Sequence, residues 1–403
     1  MTASIKTEPG LALQGESILS LQLELWGDIW RNRHHIMSRL ARKNTVLFAS
    51  PPFYVRDVLQ GILSRNRPPT GLSKVARGLY TYVPARWLPY SYSNRYRKMN
   101  DITRHVRIWQ TKKAMNSLGM EKPILYIWYP LLVDMVGEFN ESLVVYHCYD
   151  DYASFTDQTE AEARHILAQE KRLLERADIV FAASEELCAR KRVVNSNTHL
   201  VRNAVDYQLF ARAQEAETLV PADVRRIPGR IIGCVSAKTH YVDVDVLYNV
   251  FARRSDWSFV FIGNPESPGG GPWEAFKKLP NVYFLGRREL SELPGYLKGF
   301  EVCLMPYLMT EGVLVADSPL KMYEYLAGGK PVVSMPLPLI SHLNNVITFA
   351  RDANEWAAAI ENALDEDSPE MIEQRQAVAR ENTWDQRVTL ISELIAREME
   401  RRV

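Results

Sequence analysis

A short stretch in the last third of the chain carries residue types that suit the binding of a diphosphate. Ser318 is a good N-cap and Pro319 fits the first helical position, so the sequence predicts that a helix begins there. The start of a helix presents unpaired N–H groups and the positive end of a dipole, and Lys321 adds a cation one turn in. Glu324 follows three residues later, where its carboxylate could accept hydrogen bonds from ribose hydroxyls. The stretch predicts a nucleotide-diphosphate site, and an ordinary capped helix with a surface Lys-Glu pair is the alternative.

A second group of polar residues follows a predicted buried strand, Leu143–His147, in the first half of the chain. His147 ends this strand, and Asp150 and Asp151 follow it directly. Carboxylates and an imidazole at a strand end can supply a general base that deprotonates an acceptor hydroxyl. The pattern therefore predicts catalysis at this loop, without deciding between the two aspartates. The alternative is that an aspartate caps the following segment and that His147 is a hydrogen-bonded core residue.

A third candidate lies near the start of the chain. Leu21–Leu25 reads as a strand, Arg31–Arg42 as a helix and Thr45–Ala49 as a buried strand. This order is typical of a parallel sheet, in which ligands bind at the carboxyl ends of the strands. Arg33 and His34 begin the helix, so we expect at least one of them to line an acceptor site. The alternative is that adjacent histidines only cap the helix.

The stretch around Lys321 resembles the donor-site motif of GT-B glycosyltransferases. The resemblance is to family-1/family-4-like enzymes of bacterial cell-wall and exopolysaccharide assembly, the teichuronic-acid type among them. In such enzymes this segment holds the diphosphate and ribose of a sugar nucleotide. The matching residues are Ser318, Pro319, Lys321, Glu324, Tyr325, Gly329, Lys330 and Pro331. Further matches are Trp26, Trp30 and Arg33, the run from Asn203 to Phe210, a glycine turn at Gly233, and Trp384.

The resemblance implies further residues on the donor side. Gly233 and Lys238 would approach the diphosphate, Tyr307 would contact the donor, and Leu320 belongs to the helix start. The donor would be a UDP- or GDP-linked sugar. No metal and no other cofactor is expected, because the helix dipole and the cations would stabilise the leaving diphosphate.

The chain departs from the retaining relatives at two places. Many of them carry a second glutamate upstream of the one that Glu324 matches, and Ala316 stands at its position, with Asp317 beside it. They also keep an arginine and a lysine in the loop after the glycine turn, where this chain has Thr239 and Val242. The stereochemistry therefore stays open. If the enzyme inverts the anomeric configuration, Asp150 or Asp151 would be the base.

The order of elements, together with the resemblance, predicts an α/β protein of GT-B fold, with two Rossmann-like domains whose parallel sheets face a central cleft. A chain of 403 residues with 46% hydrophobic residues is long enough for two domains. The expected parts are an acceptor domain over residues 1–206, a linker over 207–228, a nucleotide-sugar domain over 229–380 and a helix over 381–403 that crosses back to the first domain. Residues 1–20 are expected to be poorly ordered, and residues 53–118 show no clear pattern.

Positive charge is concentrated in the first half. Residues 1–206 hold 28 Lys and Arg against 21 Asp and Glu, whereas the rest of the chain holds 21 against 27. The run Arg86–Lys113 carries eight basic residues and one acid, Asp101, among five Trp and Tyr residues. Such a run is typical of peripheral contact with an anionic membrane, and a solvated helix face is the alternative. Nucleic acid is not an expected partner, because no nucleic-acid motif accompanies the charge.

The four cysteines and the apolar segments predict where the protein works. The cysteines are far apart and form no C-x-x-C pair, which favours reduced core thiols over disulfides or a zinc site. The longest apolar run, Pro123–Val136, is too short to span a bilayer and contains Asp134. The first residues show no apolar signal core. We expect a cytoplasmic protein that associates with the inner face of the membrane.

The predicted function is transfer of a sugar from a nucleotide-diphosphate donor to a glycan or lipid-linked acceptor, in the synthesis of polysaccharide or another cell-surface glycan. Two alternatives remain. A sugar-nucleotide epimerase of the same fold would keep the nucleotide site and act on the donor alone. A non-catalytic GT-B partner subunit would bind the nucleotide weakly or not at all and require a second chain, and the two departures from the motif keep this alternative open.

Overall fold

The structure is a computed structural model that describes most of the chain in two compact units. The described residues are 10–22, 25–27, 30–50, 53–54, 70–84, 89–90, 97–154, 159–236, 242–263, 272–309, 319–365 and 367–402, with the backbone alone for 53–54, 89–90 and 97–99. One unit consists of Met1–Arg202 with Arg387–Val403, and the other of Asn203–Gln386. The domain boundaries expected from the sequence remain predictions.

The first unit is built on a large sheet. Its strands are β1 (Ser17–Leu21), β2 (Thr45–Ala49), β3 (Phe53–Tyr54), β4 (Gly71–Ala76), β5 (Leu79–Val83), β6 (Pro89–Tyr90), β7 (Ile124–Ile127), β8 (Leu143–Cys148), β9 (Ile179–Ala182) and β10 (Thr198–Leu200). Eight strands form one sheet in the order β10-β9-β8-β7-β1-β2-β5-β4, and β3 pairs with β6 separately. All neighbours in the large sheet are parallel except β4, which runs antiparallel to β5.

Helices accompany this sheet along the chain. They are α1 (Asn32–Leu40), α2 (Arg97–Ser117), α3 (Glu160–Arg176) and α4 (Glu185–Arg192), with short 3₁₀ turns at Pro130–Met135 and Tyr152–Ser154. Strands β7, β8 and β9 are buried along their whole length. Uninterrupted burial of this kind is expected for parallel strands in the interior of an α/β sheet.

The second unit has an entirely parallel sheet. Its strands are β11 (Arg230–Val235), β12 (Trp257–Ile262), β13 (Val282–Gly286), β14 (Val302–Met305), β15 (Val332–Ser334) and β16 (Ile347–Phe349). Their order is β13-β12-β11-β14-β15-β16. The chain therefore winds outward from β11 in one direction, then returns to β14 and winds outward in the other. Ligands of such sheets bind outside the carboxyl ends of the strands at this reversal, here between β11 and β14.

The helices of the second unit are α5 (Tyr207–Ala211), α6 (Ala222–Arg225), α7 (Val244–Phe251), α8 (Pro272–Lys277), α9 (Leu293–Gly299), α10 (Leu320–Ala327), α11 (Ala353–Asp365) and α12 (Pro369–Arg380), with 3₁₀ turns at Arg212–Gln214, Leu290–Glu292 and Pro338–Leu343. The last helix is α13 (Trp384–Glu400). Residues 207–228, predicted as a linker, carry α5 and α6. Phe210 and Val224 of this segment are buried in the core of the second unit.

The first strand lies four residues earlier than predicted. Ser17–Leu21 forms β1, whereas Leu21–Leu25 was expected to be the strand. Leu11 and Leu13 ahead of it are also buried, and the Leu13 N–H donates to Ser392 Oγ of α13 at 2.7 Å. The expectation that residues 1–20 are poorly ordered is therefore wrong for residues 10–20. The cause is tertiary, because β1 pairs with β2 on one side and β7 on the other.

The segment without a clear sequence pattern contains a hairpin and a long helix. Strands β4 and β5 form the hairpin, and α2 follows. In β5, Leu79, Thr81 and Val83 are buried while Tyr80 and Tyr82 are less so, which is the alternation expected of a strand. Strand β4 is exposed at the sheet edge along most of its length, so its sequence shows little of this alternation between apolar and polar residues.

No helix of the described part of the chain is long and apolar enough to cross a membrane. All four cysteines have free thiols and are buried, so the prediction of core thiols is confirmed. In the second unit, Cys234 and Cys303 lie in the neighbouring strands β11 and β14.

Helix α10 ends in a tightly specified turn. The Lys330 N–H donates to Tyr325 O at 3.0 Å and the Gly329 N–H to Leu326 O at 2.9 Å, the hydrogen-bond pattern of a Schellman motif. Gly329 has φ of +69°, a conformation that residues with a Cβ rarely adopt. Side chains from elsewhere in the unit donate hydrogen bonds to the remaining carbonyl groups: Gln376 donates to Ala327 O, Gln214 to Gly328 O and Arg375 to Gly329 O.

We expect Gly329→Ala to lower the free energy of unfolding by about 1–2 kcal/mol or more, because a side chain is disfavoured at positive φ. An added Cβ would also lie 2.8 Å from both Gln214 Nε2 and Ile372 Cγ2. Denaturant unfolding followed by circular dichroism measures the change.

Gly328→Ala is the matched control. Gly328 has φ of −69° and the nearest atom to an added Cβ is Leu297 Cδ1 at 3.3 Å, the end of a flexible side chain. This variant should unfold within about 0.5 kcal/mol of the wild type, because its backbone conformation suits alanine. Equal losses in both variants would contradict the account of the turn.

Candidate active site

The described residues that were predicted for the donor side lie in or near β11, β14 and α10 of the second unit. The Ser236 N–H, just after β11, donates to Ile262 O at 2.9 Å. Gly263, just after β12, has φ of +144°, and a Cβ there would lie 1.9 Å from Ser236 O. Glycine is therefore required where the backbone after β11 approaches the end of β12.

Lys321 and Tyr307 meet at the start of α10. Tyr307 follows β14, and Lys321 is the second residue of the helix. The Lys321 Nζ lies 4.5 Å from the centroid of the Tyr307 ring, within the range of a cation-π contact. A cation is thus held where the helix presents its unpaired N–H groups, an arrangement that suits a phosphate group.

Tyr325 fixes α10 to the end of β11. Its side chain is fully buried, and its hydroxyl accepts the Val235 N–H at 2.8 Å and lies 3.4 Å from Val235 O. Val235 is the last residue of β11, so this contact places the first turns of α10 beside the end of that strand. Tyr325 matched the motif in the sequence, and the structure gives it a positioning role.

Glu324 is the titratable group of this site. Burial raises its pKa to about 7, and the nearby Lys321 opposes the shift. Part of the residue remains accessible to solvent. Within the described part of the chain, the structure shows no hydrogen bond to its carboxylate. A partly desolvated carboxylate beside a cation can accept hydrogen bonds from ligand hydroxyls once it is ionised.

Several predicted donor residues lie elsewhere than expected or outside the described residues. Lys238 and Ser318 are outside them, as are Ala316, Asp317 and Thr239. Helix α10 begins at Leu320 with Pro319 as its N-cap, one residue later than predicted. Val242 is buried and pairs with Tyr307 through an antiparallel bridge, so it helps to place that ring.

The predicted glycine turn at Gly233 is wrong. Gly233 lies inside β11, and a Cβ there would be 2.0 Å from Cδ2 of the Phe300 ring. Its small size is needed for packing of Phe300 against the sheet. The predicted contact of Gly233 with the donor therefore has no support from its position in the strand.

In the first unit, Asp150 and Asp151 follow β8 but differ in environment. Asp151 is 6% exposed, and its Oδ2 accepts Ser154 Oγ at 2.8 Å and Arg190 Nη1 of α4 at 3.0 Å. Asp150 is more accessible, and its Oδ1 accepts the Asp151 N–H at 3.1 Å. The structure thus separates the two aspartates, because Asp151 is buried and holds the loop to α4 whereas Asp150 is the more exposed of the two.

His147 lies inside the sheet. It is 2% exposed, its ring stacks on Trp128 at 4.7 Å, and its Nδ1 shares a hydrogen bond of 2.7 Å with the Tyr126 hydroxyl. Burial lowers the pKa of His147 to about 3, so the imidazole stays neutral at physiological pH. This placement matches the alternative of a hydrogen-bonded core residue and gives no support to a catalytic role.

Arg33 and His34 lie at the start of α1 and are both buried. His34 Nδ1 accepts the Arg31 N–H at 3.1 Å, so His34 caps the helix as the alternative interpretation had it. The Arg33 guanidinium lies 5.1 Å from the centroid of the Tyr149 ring. Tyr149 precedes Asp150, so the structure brings Arg33 to the same loop as the candidate base.

Sequence reasoning missed two residues at this site. Tyr149 is one of them, although its position directly after β8 was a usable signal. Arg190 comes from a helix far along the chain, and no local pattern links it to Asp151. Among the described residues, no group of three or more His, Cys, Asp or Glu side chains is placed to hold a metal ion.

Comparison with known proteins places these features in context. Residues 229–366 match the family described as glycosyl transferases group 1. Over 278 residues the chain is 26% identical to a protein of Bacillus subtilis (strain 168) described as the teichuronic acid biosynthesis glycosyltransferase TuaH, a match that covers 64% of this chain and 68% of that protein.

Solved structures share the fold across nearly the whole chain. Sucrose-phosphate synthase from Thermosynechococcus elongatus superposes with a TM-score of 0.69 at 18% identity, covering 95% of this chain and 98% of that one. A structure described as trehalose-6-phosphate from E. coli bound with UDP-2-fluoro glucose gives 0.63 at 11% identity, covering 94% and 99%. HepE of Anabaena in complex with UDP gives 0.63 at 14% identity, also covering 94% and 99%. The predicted fold class is confirmed.

We expect Glu324→Gln to stabilise the free protein at pH 8 by about 1–3 kcal/mol and to change it little at pH 5. Because the pKa of Glu324 is about 7 in the folded protein against an ordinary value of 4.5 in the unfolded chain, the folded state binds one more proton between these values. The wild type therefore loses stability as pH rises through this window, and the variant does not. Urea unfolding at both pH values, without nucleotide, measures the difference.

Glu274→Gln is the control for this experiment. Glu274 is exposed on α8, where its carboxylate lies 3.4 Å from Lys277 Nζ. Removing such a surface contact should change stability by less than about 0.5 kcal/mol at either pH. If Glu324→Gln shows no more pH dependence than this control, Glu324 does not titrate as described.

Proposed function

We propose that the chain, a glycosyltransferase of GT-B fold whose residues 229–366 match the group 1 glycosyl transferases, transfers a hexosyl group from a nucleotide-diphosphate sugar to a glycan or lipid-linked acceptor. The proposed pathway is the synthesis of a cell-surface polysaccharide, in line with the teichuronic acid relative. The observation that carries the proposal is the meeting of Lys321, Tyr307 and Glu324 at the start of α10, beside the point where the strand order reverses.

The donor is proposed to be a UDP- or GDP-linked sugar held by the second unit. The start of α10 and the Lys321 ammonium would bind the diphosphate and stabilise its charge as it leaves, so that no metal and no other cofactor is needed. Glu324 would accept hydrogen bonds from the ribose hydroxyls. Two structural relatives were determined with UDP or a UDP-sugar, which supports a uridine donor over a guanosine one.

The acceptor is proposed to bind at the carboxyl edge of the sheet in the first unit. If the reaction inverts the anomeric carbon, Asp150 would be the general base, since it is the more exposed of the two residues and Asp151 is buried in its contacts with Arg190 and Ser154. Arg33, on the ring of Tyr149, would orient the acceptor beside that loop. His34 has a structural role at the start of α1 and is not part of the proposed chemistry.

The proposed place of work is the cytoplasm, at the inner face of the membrane. A lipid-linked acceptor would be found there, and the basic run Arg86–Lys113 supports contact with anionic lipid.

We expect one nucleotide to raise the melting temperature of the protein and the variants Lys321→Ala and Glu324→Ala to reduce this effect. Each variant removes one group that contacts the donor, so its affinity should fall roughly 10- to 100-fold, the range for a lost charge-assisted hydrogen bond. A thermal-shift series with UDP, GDP, TDP, CMP and their sugars measures the change, because a bound ligand stabilises the folded state by mass action.

Lys278→Ala is the control for nucleotide binding. Lys278 is exposed in the second unit, and its removal should leave the nucleotide-induced shift as in the wild type. A protein that responds to none of the nucleotides would favour a non-catalytic partner subunit. Conversion of the donor sugar without any acceptor would favour an epimerase.

We expect Asp150→Asn to remove turnover by roughly 100-fold or more while donor binding is kept, because an amide cannot accept the acceptor proton. Asp151→Asn should instead lower the free energy of unfolding by about 1–2 kcal/mol, because it weakens the contacts with Arg190 and Ser154. Transfer to acceptor and urea unfolding, measured on both variants, separate the two roles. Full turnover in Asp150→Asn would rule out Asp150 as the base.

A further inference from the structure

Helix α2 presents two large apolar side chains to solvent on one side. Ile102 is 66% exposed and Trp109 is 62% exposed, and they lie seven residues apart, which is about two helical turns. His105, Lys112 and Lys113 are exposed around them. We define this surface, made of Ile102, His105, Trp109, Lys112 and Lys113, as the outward face of α2.

The opposite side of the helix fixes this orientation. Ile108, Thr111 and Met115 are buried against the first unit. Arg107 is 5% exposed, and its Nη2 donates to Gln22 O and Ser50 O, which directly follow β1 and β2. A helix held by a buried arginine at the ends of two central strands cannot turn to bury Trp109. The exposure of the outward face is therefore a consequence of how α2 is attached.

Four basic residues of the run have described side chains, and they differ in what they contact. Arg107 is used inside the unit, and Arg104 lies within 4 Å of both Asp101 and Glu138 and donates to Asp134 O. Lys112 and Lys113 remain at the surface, and Lys113 Nζ lies 6.0 Å from the centroid of the Trp109 ring.

The only acid in the sequence of α2 is Asp101, which lies 3.8 Å from Arg104. The outward face contains no carboxylate of its own, and its two lysines give it a net positive charge. An anionic partner is therefore the one that its charge complements.

We propose that the outward face of α2 docks on an anionic lipid surface. Tryptophan beside an aliphatic side chain suits the headgroup region of a bilayer, where the ring has an apolar body and a polar N–H. Lysines beside it are attracted to anionic headgroups. A protein partner fits less well, since lysine is depleted at protein-protein interfaces. The inference rests on the proposed function, in which the acceptor is lipid-linked. It adds the surface through which the protein would contact the membrane.

The test is binding of the full chain to sedimented vesicles, without donor or acceptor. The vesicles are phosphatidylcholine alone or phosphatidylcholine with phosphatidylglycerol, at low and high salt. We expect binding to the anionic vesicles only, and weaker binding at high salt because the charges are screened. Lys112→Glu with Lys113→Glu should reduce binding more than 20-fold, since each surface lysine is worth roughly fivefold. Ile102→Ser with Trp109→Ser should reduce it more than 10-fold.

Val193→Ser is the matched control, because Val193 is an exposed apolar residue directly after α4, outside the outward face. It should bind vesicles as the wild type does. Circular dichroism and the nucleotide-induced thermal shift confirm that each variant is folded. Absence of binding by the wild type, or wild-type binding by the Ile102/Trp109 double variant, would overturn the proposal.

Light scattering on the same proteins addresses a second copy of the chain as the occupant. A wild-type dimer that the Ile102/Trp109 double variant abolishes, without vesicle binding, would overturn the lipid proposal in favour of self-association. Failure of vesicle binding with an intact nucleotide shift would leave the glycosyltransferase proposal standing. Vesicle binding without any nucleotide-induced shift would leave the lipid proposal standing and contradict the proposed nucleotide site.

Discussion

The proposed donor site depends on how α10 is held against the end of β11. The buried hydroxyl of Tyr325, in the second turn of the helix, bonds to the backbone of Val235, and the Schellman turn at Gly329 fixes the C-terminal end of the helix. Lys321 and Glu324 are carried on the same two turns, so their positions follow from these contacts. A helix that is held in this way presents its N–H groups with little reorganisation, which is what stabilisation of a leaving diphosphate requires.

This arrangement has a cost in stability. Burial raises the pKa of Glu324 to about 7, so the ionised form that could bind ribose is disfavoured in the free protein. Lys321 relieves part of this effect, but its own contact is with the face of Tyr307 rather than with a carboxylate. Perturbed carboxylates of this kind are common at binding sites, where function is obtained at the expense of stability.

In the first unit, a polar network positions the loop after β8. The buried pair Glu170–Lys191, with an Oε2 to Nζ distance of 2.6 Å, joins α3 to α4, and the Tyr146 hydroxyl of β8 donates to Glu170 at 2.7 Å. Arg190, next in sequence to Lys191, then holds Asp151. A buried ion pair is weak support for stability alone, but with further hydrogen bonds it can fix one arrangement. Here that arrangement leaves Asp150 accessible.

The sequence by itself determined the fold class, strands β2 and β8, the core thiols and the helix that carries Lys321, because buried parallel strands and helix ends have local signatures. The tertiary structure decided what local patterns could not. It moved the first strand to Ser17–Leu21, packed Gly233 against Phe300, and put His147 in the core. It also distinguished Asp151, which is bound to Arg190, from Asp150. In the same way it distinguished Arg107, which is buried at the ends of β1 and β2, from Lys112 and Lys113 at the surface. In each case the deciding partner is distant in the chain, so burial and pairing set the role of a residue whose local sequence allowed either.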